Sequence, residues 1–133
     1  MKKPFSLSKH ERIKSKKTID TLFLSGEAFF VFPYKVIYTL QPLDESNKES
    51  GLRIVISVPK RIHKRANRRN RIKRLSKEVY RLQKNELKMK LNKRAISMNI
   101  MMIYTSPEEI PFAELQGKMQ RILQKLLEIM QKD

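Results

Sequence analysis

Arg65-Ala-Asn-Arg-Arg-Asn-Arg-Ile-Lys-Arg-Leu-Ser-Lys77 is the densest part of a longer stretch, Arg53 to Lys77, that holds eleven basic residues and no acidic one. The eleven are Arg53, Lys60, Arg61, Lys64, Arg65, Arg68, Arg69, Arg71, Lys73, Arg74 and Lys77, with Glu49 before them and Glu78 after. Within this stretch and just beyond it, Ile72, Leu75, Val79 and Leu82 are spaced by three and four. At about 100° per residue they fall within about 80° of one another, while Arg69, Lys73, Lys77, Arg81 and Lys84 gather on the other side. A long helix beginning near Ala66, with one core face and one cationic face, is the expectation. Upstream, Leu52 to Val58 is apolar at nearly every position, as in a strand buried on both faces, and Pro59 ends it. Downstream, the lysine-rich Asn85 to Arg94 either extends the helix or forms a loop, and Met98 to Thr105 reads as another buried strand.

The flanks complete the order of elements. Residues 1–14 are basic and aperiodic, a loosely ordered arm. From Ser15 to Ser25, Ile19, Leu22 and Phe23 have helical spacing, and Gly26 stands where the helix stops. Phe29 to Leu40 is aromatic and β-branched, but Pro33 must lie at an edge or a break between two strands. Asp44 to Ser50 is a polar loop or hairpin connection. Ser106-Pro107-Glu108-Glu109 resembles a capping box, followed by an amphipathic helix marked by Phe112, Leu115, Met119, Ile122, Leu126 and Ile129. The expected fold is α+β, a small two-layer sandwich of a mixed β-sheet with three helices, spanning 1–133 as one domain.

Composition narrows the function. A chain of 133 residues, 40% of them hydrophobic, supplies one core rather than two. A net charge of +17 far exceeds what solubility needs and points to nucleic acid or an anionic membrane surface. No cysteine is present, so disulfides and thiolate zinc sites are excluded, in keeping with the cytoplasm. The basic N-terminus is not followed by an apolar stretch, unlike a secretory signal, and no apolar run approaches the length of a spanning helix.

Catalytic chemistry has little to stand on. His10 and His63 are the only histidines, both beside basic residues, where a solvated or phosphate-contacting imidazole is expected. Asp44/Glu45 and Glu108/Glu109 suit a turn and a helix start rather than an acid–base pair. Three glycines, at 26, 51 and 117, cannot build a phosphate-cradling loop. No catalytic or metal-ligating residue is assigned, and no small-molecule substrate. The basic helix itself admits two readings, a solvated charged face or a nucleic-acid contact. A solvated face is normally of mixed sign, whereas this run is of one sign and richest in arginine, whose planar fork matches phosphate oxygens.

The block Arg69-Asn70-Arg71-Ile72-Lys73-Arg74-Leu75, preceded by Gly51-Leu-Arg-Ile-Val-Ile-Ser-Val-Pro-Lys-Arg61 and followed by Glu78-Val-Tyr-Arg81, closely resembles the bacterial ribonuclease P protein subunit. Arg12-Ile-Lys14, Leu22-Phe23 with Gly26, Tyr38, and the last strand and helix extend the resemblance over most of the chain. It implies a left-handed βαβ crossover around the arginine-rich helix. It also implies a role beside a catalytic RNA, which removes the 5′ leader of precursor tRNA using magnesium ions while the protein binds no cofactor itself. The resemblance assigns catalytic-RNA contact to Lys60, Arg61, Arg65, Arg68, Arg69, Asn70, Arg71, Lys73, Arg74 and Lys77. It further implies a leader-binding cleft between the first helix and the sheet, carried over onto Arg12, Lys14, Ile19, Phe23 and Tyr38, with Phe23 and Tyr38 on opposite walls. Ile19 stands where the family has a second aromatic, for which Phe29, Phe30 or Phe32 could substitute, and core packing is the other reading of these rings. The rival function is a structural RNA-binding protein, such as a ribosomal or ribosome-assembly factor.

Overall fold

The computed structural model describes residues 11–43 and 51–131. In chain order the elements are α1 (Lys16–Ser25), β1 (Glu27–Val31), β2 (Tyr34–Pro42), β3 (Leu52–Ser57), α2 (Ala66–Gln83), α3 (Asn85–Lys93), β4 (Ile96–Tyr104) and α4 (Phe112–Met130). The class is the expected α+β. The sheet is mixed, in the order β1-β2-β4-β3, with β3 and β4 parallel and the other pairs antiparallel. Pro33 separates β1 from β2 and is preceded by a cis peptide bond. Because β4 lies between β2 and β3, these two are not a hairpin, and residues 44–50 between them lie outside the described residues.

Alternation along the strands divides the packing into two clusters. Tyr34, Val36 and Tyr38 of β2, Leu52, Ile54 and Ile56 of β3, and Met98, Ile100, Met102 and Tyr104 of β4 join the buried faces of α2, α3 and α4 in the main core. The intervening residues Ile37 and Met101, with half-buried Val55 and Ile103, meet Ile13, Ile19 and Leu22 in a smaller cluster under α1. β3 is thus not buried equally on both faces. It is an edge strand in which Leu52, Ile54 and Ile56 are buried and Arg53, Val55 and Ser57 are half-buried. Gly26 seats α1 on the second face. A Cβ there would lie 2.4 Å from the Leu22 carbonyl oxygen and 2.6 Å from Ile37 Cγ2, a clash with backbone that cannot be relieved cheaply.

Among the described residues there are four helices rather than three, because the lysine-rich segment folds as α3 and buries Leu87 and Leu91. α2 is rotated from the expected orientation. Its buried residues are Ile72, Ser76, Val79 and Tyr80, while Leu82 is 38% exposed. The Tyr34 hydroxyl meets Ser76 Oγ at 2.6 Å, so a polar residue that periodicity leaves out of the core face occupies its centre. Burial raises the Tyr34 phenol to about 12. Ser106 does not cap α4. Its Oγ accepts the Glu108 N–H at 3.1 Å in a local turn, and the helix starts later, after Pro111.

Lys84, expected on the cationic face, is fully buried and paired with Glu11, which is itself buried and also accepts from Lys88 Nζ at 3.2 Å. The end of the expected arm is therefore held against the fold, with Glu11 and Ile13 buried and Arg12 and Lys14 exposed. Ile13 N–H donates to the Ile54 carbonyl at 2.9 Å, and Arg12 forms a parallel bridge with Ile54 along the outer edge of β3. Burial pushes the Glu11 carboxyl up, but two ammonium groups outweigh it and hold the group below the ordinary glutamate value of 4.5. A carboxyl lowered on folding contributes stability that is complete above its unfolded value and lost as pH falls through the folded one. Glu11→Gln should cost about 3–5 kcal/mol by urea denaturation, because Lys84 is left buried without its counterion. The acid-induced loss of stability below pH 4.5 should be shallower in this variant than in the parent chain.

Candidate nucleic-acid interface

The arginine-rich segment divides into side chains that brace the fold and side chains that face outward. Arg69 Nη1 donates to the carbonyls of His63 and Lys64, at 2.9 and 2.8 Å, fastening the turn before α2 to the first turn of the helix. Arg68 Nη2 donates to the Pro107 carbonyl at 2.9 Å. Arg71 forms a fork with Glu109, Nε to Oε1 at 2.7 Å and Nη2 to Oε2 at 2.9 Å, so α2 is tied to the loop before α4. That hydrogen bond, with the charge of Arg71 behind it, holds the Glu109 carboxyl below its usual range. His63 is not solvated. It is buried, its Nε2 lies 2.7 Å from the Ser106 carbonyl, and its ring packs 5.8 Å from that of Tyr104. An imidazole facing a carbonyl oxygen must carry its proton on that nitrogen.

Lys60, Arg61, Arg65, Asn70 and Arg74 are exposed, and Lys73 and Lys77 are half-buried. None of the cations among them has a carboxylate partner among the described residues. Arg12, carried along the outer edge of β3, joins this surface. The Lys77 ammonium is shifted down, first by partial burial and then by repulsion from Arg12 and Lys73. Such crowding of like charge is unfavourable in the isolated chain and is relieved by a polyanion.

A cleft of about 790 Å³ lies between α1 and the sheet, lined in part by Lys17, Thr18 and Thr21 on α1, by Tyr38, Thr39 and Gln41 on β2, and by Asn99 on β4. Tyr38 is in the lining but only 8% exposed, with its ring 6.1 Å from that of Phe29, and burial followed by the nearby Glu27 raises its phenol. Phe23 is 57% exposed on α1 and is not part of this lining. Ile19 is half-buried in the small cluster, and Arg12 and Lys14 are exposed outside the cleft. The polar lining was readable in principle, since Lys17, Thr18, Thr21 and Ser25 share one side of a 3.6-residue helix. Asn99 was not, because only the register with β2 sets it opposite Thr39. Its Oδ1 is buried without a hydrogen-bond partner.

A small α+β protein with a cationic face that lacks counterions among the described residues, and a separate cleft of mixed polar and apolar lining, has the features of a polyanion-binding fold. The Ribonuclease P family profile matches residues 7–127. The ribonuclease P protein component of Porphyromonas gingivalis is 37% identical over 119 residues, covering 90% of this chain and 85% of that protein. The corresponding protein of Chlorobium phaeobacteroides is 33% identical over 82 residues, 62% of this chain and 56% of that one. The fold matches the RNase P protein of Thermotoga maritima with a TM-score of 0.65 at 20% identity, covering 86% of this chain and 96% of that one. It matches the RNase P protein of Staphylococcus aureus with a TM-score of 0.64 at 19% identity, covering 87% and 94%. The chain belongs to the ribonuclease P protein family.

The division of the arginines has a direct consequence. Arg69→Ala, which frees two carbonyls and loosens the turn at 60–65, should lower stability by about 1–3 kcal/mol and speed amide exchange in that turn. Arg74→Ala should leave the unfolding midpoint unchanged within about 0.5 kcal/mol. Urea denaturation and hydrogen exchange on the two variants check both outcomes.

Proposed function

We propose that this chain is the protein subunit of a ribonuclease P ribonucleoprotein, binding a catalytic RNA through α2 and the turn before it. The cleft beside α1 takes the single-stranded 5′ leader of precursor tRNA, and the assembly releases that leader by endonucleolytic cleavage. The observation that carries the reading is the face formed by Lys60, Arg61, Arg65, Lys73, Arg74 and Lys77. It is of one sign, lacks internal counterions among the described residues, and is mounted on the fold of this family. Phosphate-rich RNA is the partner that neutralises it, with release of condensed counterions. In this reading the RNA performs the hydrolysis with magnesium ions, the protein holds no cofactor of its own, and the assembly works in the cytoplasm.

The cleft suits a substrate of variable sequence. Hydroxyls and amides from Thr18, Thr21, Thr39, Gln41 and Asn99 can hydrogen-bond unpaired bases and sugars from several directions. Lys17 in the lining supplies a positive charge for the backbone, beside the single carboxylate of Glu27.

Reconstitution tests the central claim. Precursor tRNA, the catalytic RNA of the same organism and this protein are mixed at a magnesium concentration where the RNA alone is slow. Cleavage at the mature 5′ end should require protein and RNA together, and protein that cleaved unaided would overturn the assignment. Arg74→Ala and Lys77→Ala should each reduce the salt dependence of RNA binding by roughly one unit of slope per lost phosphate contact. Asn99→Ala should weaken holoenzyme affinity for leader-bearing precursor by about 0.5–1.5 kcal/mol, the worth of one hydrogen bond. Affinity for mature tRNA, which has no leader, should be unchanged, and equal losses for both would make Asn99 a fold residue.

A further inference from the structure

At the opposite edge of the sheet from β3, a groove of about 720 Å³ runs between β1 and α4, lined by Phe30, Val31 and Phe32 on one side and by Lys118, Arg121, Lys125 and their neighbours on the other. It shares no residue with the cleft beside α1 or with α2. Phe30 and Phe32 are 56% and 48% exposed, an unusual state for two large aromatics only two positions apart. They meet edge to face with centroids 6.4 Å apart, which leaves ring faces open for a third planar group. Lys118, Arg121 and Lys125 are spaced by three and four on α4, a row of cations about 10 Å long. One carboxylate, Glu128, lies in the same lining. Lys125 Nζ also sits 4.9 Å from the centroid of the neighbouring Phe29 ring, which packs against the main core outside the groove, so this part of α4 lies close against β1.

We infer that this groove is a second nucleic-acid site, taking an unpaired RNA segment whose bases stack on Phe30 and Phe32 while its phosphates run along Lys118, Arg121 and Lys125. The inference rests on the reading of the chain as an RNA-binding subunit and adds a surface that reading does not use. Aromatic faces beside a cationic row are the combination that holds single strands without sequence preference. A second copy of the chain is the competing occupant of an exposed edge strand. A net charge of +17 on each copy opposes that pairing and favours a polyanion.

The probe is an eight-nucleotide oligouridylate carrying 4-thiouridine, photo-crosslinked to the full chain and mapped by mass spectrometry. Cross-links are expected at residues 30–32, with affinity at that site roughly 5-fold to 100-fold weaker in Phe30→Ala/Phe32→Ala, as the loss of base stacking predicts. Arg121→Glu, a change on an exposed helix face, should lower the same cross-links and leave the unfolding midpoint in place, which keeps the test valid if the double variant folds poorly. Cross-links confined to α2 and the α1 cleft would overturn this inference while leaving the proposed function standing. The absence of cross-links everywhere would sink both. If instead the phenylalanine variants convert a dimer to a monomer in sedimentation without changing the cross-links, the groove is a self-association surface and the inference is wrong.

Discussion

The unbroken burial of one side of α2 is the constraint on which the rest of the molecule depends. This helix carries a dense share of the chain's positive charge, and repulsion of Lys77 by Arg12 and Lys73 works against holding it in place. Ile72, Val79 and Tyr80 offset that repulsion by nearly complete burial against the main core. Ser76 adds a hydrogen bond to Tyr34 that fixes the rotation of the helix about its axis. A rotation by one position would expose Tyr80 and bring cations under the sheet. The parallel pairing of β3 with β4 then requires α2 and α3 to span the crossover, which carries the cationic side to the surface.

Charge in this protein falls into two kinds. Arg68, Arg69 and Arg71 spend their donors on the Pro107, His63 and Lys64 carbonyls and on Glu109, and so they shape the turn and loop at the head of α2. Lys60, Arg61, Arg65 and Arg74 remain directed at solvent. Fixing the first group limits what an incoming RNA must order, since a pre-formed backbone pays its conformational cost during folding rather than during binding. Glu11 extends the same logic to the other end of the chain. The buried contacts with Lys84 and Lys88 hold the segment that places Arg12 beside Lys77.

The cleft beside α1 depends on a close approach rather than on a turn. Gly26 has an ordinary extended backbone, and what it contributes is the missing Cβ between the Leu22 carbonyl and Ile37. With α1 seated so low, its polar side overlooks the strand edge at Thr39 and Gln41 instead of open solvent.

Much was legible in the chain itself. The one-sign run from Arg53 to Lys77, the helical period of Ile72 and Val79, and the apolar runs before and after them specify a basic helix between two strands, because charge and periodicity are local properties of sequence. The family block from Arg69 to Leu75 was also readable. Tertiary structure alone decided how those residues are used. Ser76 and Lys84 are polar in sequence and buried in the fold, since their partners, Tyr34 and Glu11, lie 42 and 73 residues away. The distinction between bracing and outward-facing arginines is set by carbonyls and a carboxylate on other loops, Tyr38 is drawn into the main core beside Phe29 while Phe23 stays exposed, and Asn99 reaches the cleft only through strand register. Each of these is a contact between segments distant in the chain, and a sequence read residue by residue carries propensity and pattern but not the partner across the core.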